Sequence, residues 1–346
     1  MSLLRKILYP FAVLYGEVTA TRNTFYNKGI LKSTAFEIPT IVVGNLSVGG
    51  TGKTPQVEYL IRLLQSTYKV AVLSRGYKRN TKGFIIASDT TTVAEIGDEP
   101  MQYHTKFKDV IVAVDADRVH GISQLSKLKN TPDVIVLDDA YQHRKVAAGL
   151  NILLTSYNNL YVDDTLLPTG NLREKIKGAD RAQIIVVTKC PETLSEAQQF
   201  EITKKLQVAL HQTVFFSTIK YSEEIIGKKN KLPTTTLSNF KVVLVTGIAN
   251  TEPLVTFLEN LSCNFHHLQF ADHHNFTQKD FQKINEAYSA IKTDKKLILT
   301  TEKDYVRSFK ERDNVYYLPI ETDFIEHKED FNKLIKKYVE QSSRNS

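Results

Sequence analysis

The sequence predicts an α/β protein: a mostly parallel sheet with helices on both faces, followed by a smaller C-terminal α/β domain. Three observations carry this. Short apolar, β-branched runs alternate with helical stretches from residue 38 to residue 187, the pattern of strands buried on both faces. Ser47-Val48-Gly49-Gly50-Thr51-Gly52-Lys53-Thr54 joins one such run to a helix, the layout of a phosphate-binding loop. The strand–helix pattern then restarts after the polar stretch Lys228-Lys229-Asn230-Lys231-Leu232-Pro233. The expected organisation is an N-terminal amphipathic segment (1–36), a P-loop NTPase-like domain (37–232), a smaller α/β domain (233–320) and a C-terminal helix and tail (321–346).

Taken in order, Ile38–Val43 reads as the first buried strand and Gln56–Leu64 as the helix after the loop. Strands follow at 69–73, 83–87, 110–114, 134–137, 152–154 and 184–187, with a helix from Met101. In the second domain, strands are expected at 241–246, 265–270, 297–300 and 315–318. Ligands of such sheets bind beyond the carboxyl ends of the strands. Several charged residues cluster there: Asp98, Glu99, Asp138 and Asp139, with Arg75 and Arg118.

The 346 residues suffice for two domains. Apolar content of 42% and charged content of 24% describe an ordinary globular protein. Cys190 and Cys263 are the only cysteines. They match no metal spacing and imply no disulfide framework, which suits a reducing compartment. The net charge of +7 suits an anionic partner. Nucleic acid is not the expected one, because there is no finger spacing, RNP-like motif or long basic tract.

At the N-terminus Leu3, Leu4, Ile7, Leu8, Phe11, Leu14, Tyr15 and Val18 fall at helical spacing, with Arg5, Lys6, Arg22, Lys28 and Lys32 nearby. A spanning helix needs roughly 20 apolar residues and is excluded by length. A signal peptide is disfavoured by Pro10, by Gly16-Glu17 and by a nucleotide loop that belongs with cytoplasmic ATP. An interfacial helix with basic flanks and a helix packed on its own domain both fit the pattern.

The chemistry-bearing residues divide by motif. Glycines let the loop amides of residues 47–54 turn toward phosphate, Lys53 can reach the β- and γ-phosphates, and the Thr54 hydroxyl can ligate Mg²⁺. The strict loop pattern begins with Gly, and Ser47 stands there instead. Val134-Ile135-Val136-Leu137-Asp138-Asp139 has the form of a Walker B strand whose acids hold Mg²⁺ directly or through water. In Gly97-Asp98-Glu99-Pro100, Asp98 is either a helix N-cap or a base for an acceptor hydroxyl. Asp272-His273-His274 could be a metal site, an acid–base pair or surface. Arg75, Arg118, Arg144 and Arg173 offer guanidinium forks for phosphate oxygens.

In combination these segments resemble the tetraacyldisaccharide 4'-kinase family of Gram-negative bacteria. The resembling motifs are Val43–Pro55, Ser74–Tyr77, Gly97–Pro100, Asp138–Arg144, Leu167–Glu174, Asp272–His274 and Thr301–Asp304, in order along nearly the whole chain. Ser47 is usual in that family, whereas Ala140-Tyr141 stands where it more often has Gly and an apolar residue. The resemblance implies transfer of the ATP γ-phosphate to the 4'-hydroxyl of an acylated glucosamine disaccharide 1-phosphate lipid. It further implies an enzyme peripheral on the cytoplasmic face of the inner membrane; a monomer is the expected state. Residue by residue, it implies Lys53 and Thr54 as nucleotide and Mg²⁺ contacts, with Asp138 and Asp139 as the acidic pair near Lys53 and the metal; Glu99 is a further candidate metal ligand. Asp98 becomes the base, and His273 or its neighbour His274 the dyad partner, brought over by closure of the smaller domain. Arg75, Arg118, His143, Asn171, Arg173 and Glu174 become substrate-side candidates.

Two rivals are weaker. Partitioning ATPases place a signature Lys where this chain has Val48. Guanine-reading proteins need an acidic residue in the motif that here reads Thr188-Lys189-Cys190-Pro191.

Overall fold

A nine-stranded sheet holds the phosphate loop at its centre. The structure, a computed structural model, describes residue 5 and residues 7–344. The chain forms two units, residues 1–219 with 322–346, and residues 220–321.

The first unit opens with helix α1 (Tyr9–Asn27), then β1 (Thr40–Asn45), α2 (Lys53–Leu64), β2 (Val70–Ser74) and the short β3 (Ile85–Ile86). Next come α3 (Asp98–Lys106), β4 (Ile111–Val114), α4 (Arg118–Leu125), β5 (Val134–Asp138), β6 (Leu150–Ser156), β7 (Ile184–Thr188), α5 (Glu196–Lys205) and β8 (Thr213–Tyr221). The sheet order is β15-β8-β7-β6-β1-β5-β2-β4-β3, where β15 is Ile320–Phe324. From β4 to β8 every pairing is parallel, whereas β3 runs antiparallel on β4 and β15 antiparallel on β8. Every residue of β1, β2, β5 and β7 is buried. That is why these strands read as unbroken apolar runs rather than alternating ones.

Two apolar cores lie within this unit. One packs β1, β5 and β6 against α2 and the C-terminal helix through Val43, Leu60, Val136, Phe331 and Ile335. The other holds Leu46, Leu73, Leu137, Leu153 and Val187. β5 lies on one side of β1 and β6 on the other, so the chain changes direction across β1. This is the place where a doubly wound sheet leaves a crevice.

The second unit contains β9 (Glu224–Gly227), β10 (Lys231–Pro233), β11 (Lys241–Thr246), α6 (Glu252–Asn260), β12 (Asn264–Gln269), α7 (Gln278–Ala290), β13 (Lys296–Thr301) and β14 (Val315–Leu318). Its sheet order is β10-β9-β14-β13-β11-β12, and Val243, Leu244, Ile298 and Leu299 sit in its own cores. After β15 the chain ends in α8 (Lys328–Arg344).

The polar stretch 228–233 lies inside the second unit rather than before it. Ile226 pairs with Lys231 across an antiparallel hairpin, with Lys228–Asn230 at its turn. Polar residues at a hairpin turn and in a linker look alike in sequence.

Candidate active site

The phosphate loop follows β1 and is shaped by its neighbours. Gly49 and Gly52 have φ +117° and +82°, values that favour glycine. The Val48 N–H donates to the Asn171 carbonyl at 2.8 Å, and the Arg173 N–H to the Leu46 carbonyl at 2.7 Å. Loop 171–173 thus runs beside the start of the phosphate loop. On the other flank Lys189 Nζ donates to the Gly50 carbonyl at 2.6 Å, and Thr188 Oγ1 to the Thr51 carbonyl at 2.8 Å. Inside the loop, Asn45 Nδ2 donates to Thr51 Oγ1 at 2.8 Å. Lys53 Nζ lies 3.3 Å from Asn45 Oδ1 and 3.7 Å from Asp139 Oδ1.

β5 carries the acidic pair to the same edge, with Val43 in register with Asp138. The two carboxyls are treated differently. Asp138 is 4% exposed and its Oδ2 accepts from Ser74 Oγ at 3.3 Å and Tyr103 Oη at 3.4 Å. Burial first, then Asp139 and Glu99, push its pKa up to about 6 against the pull of Lys53 and Arg118. Asp139 takes a left-handed backbone, φ +48°, and pairs with Arg173 at 2.8 Å. Burial would raise its pKa, but Lys53 and Arg173 outweigh that and hold it low.

Asp98 and Glu99 open α3, both partly buried. Gly97, not Asp98, occupies the N-cap, so the capping reading of Asp98 does not hold. Gly97 has φ +91°, and a Cβ there would stand 2.9 Å from the Tyr77 carbonyl. The glycine therefore lets the 74–77 loop, with exposed Arg75, pack against the start of α3.

The substrate-side candidates divide. Arg118 is 2% exposed and its guanidinium donates to the Asp115 and Asp138 carbonyls at 2.6 and 3.2 Å. It braces the acidic strand end from beneath, a role that removes it from direct substrate contact. Burial first lowers its pKa to about 10. His143 Nε2 accepts from the Arg118 N–H at 3.3 Å. Glu174 is likewise buried: Arg181 grips both carboxylate oxygens at 2.8 and 2.9 Å, with Asn23 and Gln142 also bonded to it. Glu174 organises its loop rather than facing a ligand. Arg173 and Asn171 stay partly exposed beside the phosphate loop, and Arg75 is exposed.

Helix α1 lies along this loop. Tyr15 Oη donates to the Arg173 carbonyl at 2.7 Å, and Arg144 Nη1 to the Asn23 carbonyl at 2.7 Å. α1 buries its small residues, Ala12 and Gly16, and exposes its large ones: Phe11 is 63%, Leu14 64% and Val18 61% exposed. A helix packed on its own domain by its large apolar face is therefore not what forms. Leu3, Leu4 and Lys6 lie outside the described residues. Among the described residues no helix is long and apolar enough to cross a membrane.

In the second unit His273 has φ +56°, and Lys303 and Arg307 approach its ring nitrogens at 3.3 and 3.4 Å. His274 instead contacts Asp280 at 2.9 Å and stacks on Phe270. Asp304, fully buried, accepts from the Gly247 N–H and Thr301 Oγ1 and faces Arg307. His274 thus bonds the Asp280 side chain that completes the capping box of α7.

A family model for tetraacyldisaccharide-1-P 4'-kinase (LpxK) matches residues 4–340. The chain belongs to this family. A tetraacyldisaccharide 4'-kinase of Flavobacterium johnsoniae is 52% identical over 344 residues, 99% of each chain. One from Bacteroides thetaiotaomicron is 45% identical over 362 residues, 99% of this chain and 95% of that one. A crystal structure of LpxK from Aquifex aeolicus in complex with ATP superposes with a TM-score of 0.79 at 32% identity, covering 97% of this chain and all of that one. Membership of the tetraacyldisaccharide 4'-kinase family makes the chain a phosphotransferase acting on a hydroxyl group, and the partitioning-ATPase alternative is not favoured.

Residues the motif reading did not single out also shape this kinase site. Asn45 bridges Thr51 and Lys53, Lys189 closes the loop on Gly50, and Tyr103 reaches Asp138. Asn45 was detectable as the polar end of an apolar strand. Tyr103, one apolar residue on a helix, gave no signal.

Proposed function

We propose that this chain transfers the γ-phosphate of ATP to the 4'-hydroxyl of a tetraacyldisaccharide 1-phosphate lipid, at the carboxyl edge of β1, β2 and β5. The observation that carries the reading is the convergence on one strand edge of Lys53, Thr54 and the Asp138–Asp139 pair. Helix α1, with its apolar residues outward, reaches the loop that borders them.

The loop amides and Lys53 would hold the β- and γ-phosphates, and Arg173 beside Asp139 keeps a second cation at the rim. The oxygen donors fit Mg²⁺, which binds through one or two carboxylates together with substrate phosphates. Among the described residues, no three or more His, Cys, Asp or Glu side chains form a closed metal cage. An open set shared with a nucleotide has that character. Thr54 with one or two of Asp138, Asp139 and Glu99 would hold the ion, directly or through water, and its chemistry is neutralisation of the phosphate charge. Asp98, at the first turn of α3, accepts the proton of the attacking hydroxyl. His273 as its partner rests on the family resemblance. Phosphoryl transfer needs alignment more than covalent help, so the rigid strand edge is the main contribution of the fold.

A lipid acceptor explains α1. Its exposed Phe11, Leu14 and Val18 would enter the headgroup boundary of a membrane on the cytoplasmic side, where ATP is available. The test is transfer of radiolabelled γ-phosphate from ATP to tetraacyldisaccharide 1-phosphate in detergent micelles. Labelled bisphosphorylated lipid with the natural chain and none with Lys53→Ala is expected. ATP hydrolysis without lipid product would overturn the reading.

A further inference from the structure

Tyr103 is fully buried on α3, five residues beyond the Asp98 that opens the helix. Its hydroxyl donates to Asp138 Oδ2 at 3.4 Å, which ties α3 to the end of β5. Tyr103 is also held in place. Glu58 of α2, 1% exposed, accepts from Gln102 at 2.8 Å and Lys106 at 2.7 Å, the neighbours of Tyr103 on α3.

We propose that Tyr103 is a positioning residue for phosphoryl transfer, which gives its hydroxyl proton to Asp138 and so fixes that carboxylate. The consequence follows from counting lone pairs. Each carboxylate oxygen has two of them. Asp138 Oδ2 already accepts from Tyr103 and Ser74. Its Oδ1 is then the oxygen left to serve the ion or a water bound to it. One buried phenol thereby sets the carboxylate face of one metal donor and ties it to the helix that begins with Asp98 and Glu99. Partners of this kind typically change metal affinity 10- to 100-fold when lost.

The inference rests on the Mg²⁺·ATP reading above, and the experiment separates the two. Binding of a fluorescent ATP analogue is measured in EDTA and across a Mg²⁺ titration, for the natural chain and for Tyr103→Phe, with thermal unfolding followed in parallel. Tyr103→Phe keeps the ring and removes one oxygen. The expected result is a Mg²⁺ midpoint raised about tenfold or more, with nucleotide affinity in EDTA unchanged. A purely structural role would lower thermal stability or both affinities together. A folded Tyr103→Phe protein with an unchanged midpoint overturns the proposal. Absence of any Mg²⁺ dependence in the natural chain overturns the metal reading and the proposal with it. If Tyr103→Phe does not fold, Ser74→Ala removes the other hydroxyl from the same Asp138 oxygen. A raised midpoint there supports the lone-pair argument, and an unchanged one overturns it.

Discussion

Asp138 and Asp139 are adjacent in sequence, yet their pKa values move in opposite directions. The left-handed turn at Asp139 sends its carboxylate toward Lys53 and Arg173, while Asp138 stays in the strand and faces Tyr103 and Ser74. One is therefore an ionised partner for the loop lysine, and the other a carboxyl kept inside. Asp98 is assigned the proton transfer, so Asp98→Ala should lower kcat by about 10²- to 10⁴-fold while leaving KM for ATP within a few-fold. Steady-state kinetics check this, and normal turnover would remove Asp98 from the role. His143 makes a separate prediction about pH. Burial first, then Arg118 and against Asp117, lowers its pKa to about 4 from 6.5. Between those values the unfolded chain binds a proton that the folded chain excludes, so stability rises with pH there. The contribution is complete above about pH 6.5 and is lost as pH falls toward 4. Thermal melts across that window should show a shallower loss for His143→Gln than for the natural chain. Parallel slopes would count against it. At this scale the sequence was legible where chemistry is written in contiguous motifs, as in residues 47–54 and 138–139. It was silent on the burial of Arg118 and Glu174, named as substrate-side candidates. Each is buried by partners that no contiguous motif contains: Asp138 for one, Arg181 and Asn23 for the other.

Among the elements, α1 shows how composition and packing can part company. Its apolar periodicity suggested one greasy face, and the structure buries the opposite, small-residue side instead. Gly16 contributes to this: a Cβ there would stand 2.5 Å from Leu166 Cδ1, so the glycine lets the helix lie close against the 165–175 segment. The large side chains are left outward by the same rotation. Burying each of them in a bilayer boundary is worth up to roughly 1.5–3 kcal/mol. Phe11→Ser and Leu14→Ser should each weaken binding to anionic phospholipid vesicles by about tenfold or more, read by co-sedimentation, with ATP binding unaffected. Undiminished vesicle binding by the double variant would argue that α1 does not dock on lipid. Elements buried on both faces, such as β1, β5 and β7, were readable as apolar runs. β8 was not, because Thr213–Tyr221 is only partly buried and its polar residues mask the strand.

For the whole molecule, the boundary between units is the feature least visible in sequence. The chain leaves the first unit along β8 and re-enters it along β15, so the second unit is an insertion and α8 belongs with the phosphate-loop domain. Reading along the chain finds where a pattern restarts. It does not find which sheet a late helix rejoins, because that depends on Phe331, Ile335 and Val339 meeting the core of the first unit. Each unit has its own apolar clusters, which leads to a prediction about stability. Leu244, fully buried in the second unit, sits in an apolar cluster drawn from residues 221–318. Leu244→Ala should cost about 2–5 kcal/mol through the lost methyls and the cavity they leave. That cost should appear as faster amide hydrogen exchange within residues 241–318, while peptides from 40–64 keep the protection of the natural chain. Mg²⁺·ATP should act in the opposite sense, slowing exchange around 45–56 in proportion to its occupancy. Equal acceleration in both regions on Leu244→Ala would mean that the two units unfold as one, and that their separate cores do not give separate stabilities.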